Sequence, residues 1–92
     1  MSKLMNLQLF SAGPLLQKST FQNVTCIRIK DEVYGNATFL PNHAPCLISI
    51  PDAKVYLQFQ YEHELVFNVS KGYLSIPFNN QVKIISEKLN YD

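Results

Sequence analysis

A chain of ninety-two residues has room for one hydrophobic core, not two. The AVILMFWYC residues make up 47% of it and charged residues 16%, against about 25% charged in an average domain, so disorder is excluded and a core is available. Eight basic and seven acidic residues give a net charge of +1, which offers no footprint for a nucleic-acid backbone or an anionic membrane surface.

The apolar period along the chain is two rather than 3.6. Met5, Leu7 and Leu9 alternate with Asn6 and Gln8 and predict a first strand. Gly13-Pro14 reads as a turn, and Leu15, Leu16 and Lys18 make a turn at most. A second strand is predicted from Phe21 to Lys30, where Ile27 and Ile29 alternate with Arg28 and Lys30. A polar connection runs from Lys30 to Gly35, and a short strand over Ala37 to Leu40 stops at Pro41. Cys46 to Ile50 is the next strand, bounded by Pro45 and Pro51.

Val55, Leu57, Phe59 and Tyr61 then share one face, with Tyr56 as the aromatic exception on the polar side. Glu62-His63 reads as a hairpin tip, and Leu65, Phe67 and Val69 return with the same period. Ser70, Lys71 and Gly72 read as another break. Leu74, Ile76 and Phe78 form a strand, Asn79-Asn80 a two-residue turn, and Val82, Ile84 and Ile85 the last strand, ending near Glu87. Short strands at this spacing predict an all-β fold: an antiparallel β-sandwich of eight to ten strands.

Sites for chemistry are scarce. Asp31 and Glu32 are adjacent, so a strand would point them to opposite faces. Glu62 and Glu64 flank His63 in the predicted tip, a poor place to exclude water. No GxSxG or Walker loop occurs, and the three glycines all but exclude a Gly-rich phosphate loop. Cys26 and Cys46 read as reduced, buried small hydrophobes, and no signal peptide or apolar run of membrane-spanning length precedes them. A binding or assembly module therefore outranks an enzyme, with no catalytic, cofactor or metal residue assigned.

The distinctive stretch is Gly35 to Pro45. Pro41 and Pro45 stiffen the connection, Asn42 suits an Asx-type turn, and His43 either ties that turn or meets a partner. Leu40, Pro41, Asn42, His43, Ala44 and Pro45, followed by Leu47, resemble the signature of the F-type ATP synthase epsilon subunit (delta in mitochondria). Phe67 to Ile76, Asn79 to Ile85 and the first strand from Leu7 to Ala12 are similar to that family in order and spacing. Thr38 stands where the family usually has its second Gly, Cys46 replaces a Leu, and Lys71 replaces the first Gly of a Gly-Gly pair. Asp52-Ala53 lacks the usual Pro-Gly turn, residues 13–20 look longer than the family's connection, and Asn36 stands where many members carry an acid.

The resemblance implies a ten-stranded sandwich that binds the gamma subunit, rotates with it and passes torque to whatever lies below, a c ring being one candidate, with the alpha–beta hexamer an indirect partner. It implies a non-catalytic, cytoplasmic subunit, peripheral to the membrane and bound to no nucleic acid. Carried over, Gly35, Asn36, Asn42 and His43 lie on the partner-facing loop; Tyr56 is a candidate for the gamma contact because aromatics are enriched at interface cores. Only Lys88 to Asp92 would follow the last strand, so the helical inhibitory arm of bacterial members is expected to be absent. Two alternatives stand beside this reading. One is an F-like ATPase whose stalk drives something other than an ion-conducting ring. The other is a stand-alone sandwich holding a metal or ligand through Cys26, His43, Cys46 and His63. The variant His43→Ala is expected to keep its thermal unfolding midpoint while ATP hydrolysis in the assembled complex becomes less tightly coupled to work.

Overall fold

The apolar alternation read from the sequence sets the inward faces of six β-strands. The computed structural model describes residues 4–12, 16–31, 35–42, 44–60, 64–78 and 80–91. The strands are β1 (Met5–Ala12), β2 (Leu16–Asp31), β3 (Gly35–Phe39), β4 (Cys46–Phe59), β5 (Leu65–Phe78) and β6 (Gln81–Tyr91). The sheet order is β1-β6-β5-β4-β2-β3, and β1 also pairs with β2. Five strands therefore close a ring, and β3 lies outside it along the second half of β2. This is a barrel-like β-sandwich.

Met5, Leu7, Leu9, Ile27, Ile29, Val55, Leu57, Phe67, Val69, Leu74, Ile76, Val82 and Ile84 fill the interior. These are the inward positions that the period of two predicts. Each side chain withdrawn from water in this way contributes about 1.5–3 kcal/mol before entropy is counted.

Six strands replace the expected eight to ten, because several predicted breaks are corners inside continuous strands. In β4 the buried positions run to Ile50 and resume at Val55, with Ala53 partly buried against the core between them. The inward phase therefore slips by one residue at Pro51–Asp52. In β5 the inward residues pass from Val69 to Gly72, and in β6 from Ser86 to Leu89. The ladders show the same discontinuity. Ile50 pairs with Gly72 and Asp52 with Ser70, but Pro51 and Lys71 are not bridged. Ser70 pairs with Lys88 and Gly72 with Ser86, but Lys71 and Glu87 are not bridged.

One unbridged row thus crosses three strands. Pro51 is tolerated in it because no ladder bond is asked of its missing N–H. Lys71 takes a left-handed backbone, φ 52°. The fourth corner is in β2, where Asn23 has φ 62° and the registers toward β1 and β4 both shift.

Other expectations need correction. Leu16 to Thr20 is strand, not a turn, and pairs with β1. β6 runs on to Tyr91 instead of ending near Glu87. Pairing is not wholly antiparallel, since β1 and β6 run parallel from Asn6↔Gln81 to Ser11↔Ser86. That pairing is the seam that closes the ring. Phe78 and Ile85, read as strand apolars, are 62% and 46% exposed, because the β5–β6 register shifts before Phe78 and Ile85 has the outward phase. The Gly13-Pro14 turn and the Glu62-His63 tip lie outside the described residues.

Two small residues secure the corner. A Cβ on Gly72 would come within 2.6 Å of the Ile85 carbonyl oxygen and 2.8 Å of Val69 Cγ1. The variant Gly72→Ala is expected to lose about 1–3 kcal/mol in chemical denaturation. Ser86 is the buried polar side chain among the described residues. Its Oγ accepts from the Ser70 N–H at 3.3 Å, and its hydroxyl proton is offered to the carbonyls of Ser70, at 3.0 Å, and Lys88. Ser86→Ala leaves these groups unmet and is expected to cost about 1–3 kcal/mol in the same measurement.

Candidate functional site

One surface and one turn carry the residues singled out in the sequence, and a second surface carries others. The turn is held from both sides. Asn42 (φ 68°) and Asn80 (φ 61°) both occupy the left-handed region, which asparagine tolerates. The Asn42 N–H donates to Asn80 Oδ1 at 2.8 Å, and Asn80 Nδ2 donates to Asn42 Oδ1 at 3.4 Å. The Asn80 carbonyl in turn accepts from the Asn6 N–H at 2.8 Å. The Pro41–Asn42 turn, the β5–β6 turn and the start of β1 are thereby tied together. Leu40 (56% exposed) and Phe78 (62%) each lie two residues from this bridge and face solvent.

Gly35 and Asn36 sit at the other end of β3, opposite Asp31 and Lys30. Gly35 has φ 93°, and nothing lies within 4 Å of where its Cβ would be. The whole of β3 separates this pair from Asn42, a run of about 14 Å over Gly35–Phe39. The structure therefore places Gly35 and Asn36 apart from Asn42 rather than on one loop. His43 lies outside the described residues.

Tyr56 stands on the outer face of β4, directly opposite Arg28, which is itself opposite Thr38. Lys30 Nζ lies 4.9 Å from the Tyr56 ring centroid and Arg28 Cζ 5.7 Å. Cations over an aromatic face contribute about 0.5–1 kcal/mol each at exposed sites. Arg28 Nη2 also donates to Glu64 Oε2 at 2.7 Å, a half-exposed ion pair of about 0.2–1 kcal/mol. Asn36, Thr38, Arg28, Lys30 and Tyr56 form one continuous outer patch. The sequence singled out Asn36 and Tyr56; the cations that join them become visible only in the β2–β4 register.

The second surface was not anticipated. On the outward phase of the other sheet, Leu47 is 69% exposed, Tyr73 53% and Ile85 46%. Tyr73 and Ile85 are direct cross-strand partners, and Ile85 also lies beside Phe10 on β1. Lys18 reaches over the Phe10 ring, 5.7 Å from its centroid. An apolar row thus runs across three strands, exposed at Tyr73 and Ile85 and half-buried at Phe10.

The two thiols do not form a site together. Cys26 is buried on β2 opposite Gln58, and Cys46 is half-buried, not buried, on β4 opposite Ile76. Burial pushes the Cys26 thiol above its ordinary value; Arg28 opposes that shift and Glu64 adds to it. Among the described residues no group of three His, Cys, Asp or Glu side chains converges on a point. His63, like His43, lies outside those residues. A depression of about 510 Å³ at the corner row is lined by Asp31, Asp52, Lys54, Asn68 and Ser70, where Ser70 Oγ donates to Asp52 Oδ1 at 2.8 Å. Among the described residues no helix is long and apolar enough to cross a membrane.

The closed ring of strands thus carries an exposed apolar pair on one face and a cationic patch on another. Residues 16–90 match the family described as ATP synthase, Delta/Epsilon chain, beta-sandwich domain, and the chain belongs to that family. The family is a non-catalytic stalk subunit of ATP synthase. The fold is similar to a chain in the Tetrahymena thermophila mitochondrial ATP synthase central stalk and c ring. That likeness has a TM-score of 0.67 and 15% identity over 96% of this chain and 68% of the other. It is also similar to a chain in the Euglena gracilis mitochondrial ATP synthase, in a structure of OSCP, F1 and the c ring. There the TM-score is 0.74 and the identity 12%, over 98% of this chain and 56% of the other. The chain thus spans little more than half the length of its Euglena counterpart. No curated protein sequence matches.

The asparagine bridge yields a measurable consequence. Asn80→Gly keeps the left-handed backbone but removes both side-chain bonds to Asn42. Hydrogen exchange at the Asn42 amide is expected to accelerate roughly tenfold, with global stability falling by no more than about 1 kcal/mol.

Proposed function

We propose that this chain is a central-stalk subunit of an F-type or F-like rotary ATPase that binds the gamma subunit and couples its rotation to a partner below. The observation that carries the gamma contact is the exposed cross-strand pair Tyr73 and Ile85, with Leu47 exposed two residues along on the adjoining strand. Large apolar side chains exposed together on a sheet face mark a protein-binding surface. The Asn42 turn and its neighbour His43 are proposed to face the partner below, with Gly35 and Asn36, at the far end of β3, a separate contact. Tyr56 belongs to the basic patch on the other sheet, and a direct role for it at gamma is tested separately.

The experiment is co-expression with gamma followed by size-exclusion chromatography. A stable one-to-one complex is expected, and Tyr73→Arg combined with Ile85→Arg is expected to abolish it without lowering the thermal midpoint. Tyr56→Ala in the same assay reports whether its face also contributes. Failure of the wild-type chain to co-elute with gamma would remove the reading.

Asn36 favours a second form of the same proposal. It is exposed and uncharged at the position where the family often has an acid, and Leu40 and Phe78 add apolar surface at the opposite end of β3. Both features suit a partner other than a polar, ion-conducting ring. Purification of the native assembly decides it: a co-purifying c ring restores the ordinary output.

A further inference from the structure

We infer that the part of gamma covering Tyr73 and Ile85 is acidic, with one carboxylate set against Lys83 and another against Lys18. This rests on the gamma contact proposed above and adds the chemistry of its other half.

Tyr73 and Ile85 are exposed and face each other across β5 and β6. Lys83 shares the outward phase of Ile85 two residues earlier on β6, about 7 Å along the strand. It is exposed, and its neighbours in the two ladders are Ser75 and Gln8, both uncharged. Lys18 is exposed at the β2 end of the row, two strands from Ile85, or about 10 Å away. Its ammonium lies over the Phe10 ring. Among the described residues no carboxylate pairs with either lysine. On the other side of the apolar pair the charges cancel, since Lys71 and Lys88 border one small depression with Asp52 and Glu87. The positive excess therefore sits on the Lys83 and Lys18 side.

That excess decides the charge of the partner. A standard protein contact covers about 800 Å² on each side, a disc of roughly 16 Å radius. Centred on Tyr73 and Ile85, such a contact takes in both lysines around its apolar middle. An uncharged partner would strip water from the two ammonium groups without return, and a basic one would repel them. Carboxylates at these points replace the lost hydration and steer the encounter. An anionic bilayer offers the same charge but only about 1 kcal/mol per lysine, too little to hold a chain whose net charge is +1.

The test measures association of the 92-residue chain with immobilised gamma. Association is expected to slow roughly fivefold as salt rises from about 0.05 to about 0.5 M. Lys83→Glu is expected to weaken binding roughly tenfold at low salt, while Lys83→Arg retains it, both with the wild-type thermal midpoint. Thr20 is exposed in the same row, beside Gln8, and Thr20→Lys is expected to speed association about twofold, which a merely structural role for Lys83 would not produce. Binding that ignores salt and Lys83→Glu overturns the inference and leaves the gamma contact standing, as does equal loss in Lys83→Arg and Lys83→Glu. No binding of the wild-type chain removes the gamma contact itself and the inference with it. Sedimentation of the chain with vesicles containing phosphatidylglycerol, abolished by Lys83→Glu, would assign the face to a membrane and overturn the inference as well.

Discussion

Long strands must turn a corner without leaving the sheet, and the rest of the structure follows from how they do so. A ladder can bend where one row of residues gives up its bridges, and here Pro51, Lys71 and Glu87 give them up together. The apolar phase slips by one residue at the same row. The two halves of β4 and of β5 can then both face inward, although their alternations are out of step. Gly72 lets the strands approach at the corner, and the Ser86 hydroxyl meets backbone groups of Ser70 that the interrupted ladder leaves over. Closure of the ring, burial of the core and the position of both outer faces all depend on that row.

Closure also distributes the surfaces. Once the ring is shut, interior positions are used up and the outward phases become two separate faces. One bears Leu47, Tyr73 and Ile85; the other bears Tyr56 between Arg28 and Lys30. The first is apolar and the second cationic, so the two present different chemistry to solvent. Because the same sheets bend from one layer into the other, a load applied to either face is borne by continuous strands rather than by loops. That property suits a stalk element.

Much of this was legible in the chain. The inward positions Leu7, Leu9, Ile27, Ile29, Val55, Leu57, Phe67, Val69, Leu74, Ile76, Val82 and Ile84 follow from a period of two, because burial on one face is what that period records. The resemblance around Leu40 to Pro45 pointed to the family that residues 16–90 match. The Asn80 turn was readable from asparagine's tolerance of positive φ. Strand count was not readable, since a phase slip and a strand end leave the same trace in a hydrophobic pattern. Pro51 and the Ser70–Gly72 run looked like boundaries for that reason. The parallel β1–β6 seam has no local signature, being a contact between distant parts of the chain. Nor does alternation alone tell an apolar residue on the outward phase from a core one displaced by a corner, which is why the exposure of Ile85 and Leu47 was not anticipated.

The β1–β6 seam has a consequence for biosynthesis. β1 is made before the other five strands, but its parallel partner is residues 81–86. Until those emerge from the ribosome, β1 can pair only with β2, and one side of it stays unsatisfied. The ring closes late, through a contact of large sequence separation whose loop entropy is met only at the end. During that interval the nascent chain exposes a hydrophobic edge. Its exposure to aggregation or proteolysis is set by translation speed and chaperone access as much as by the stability of the finished barrel.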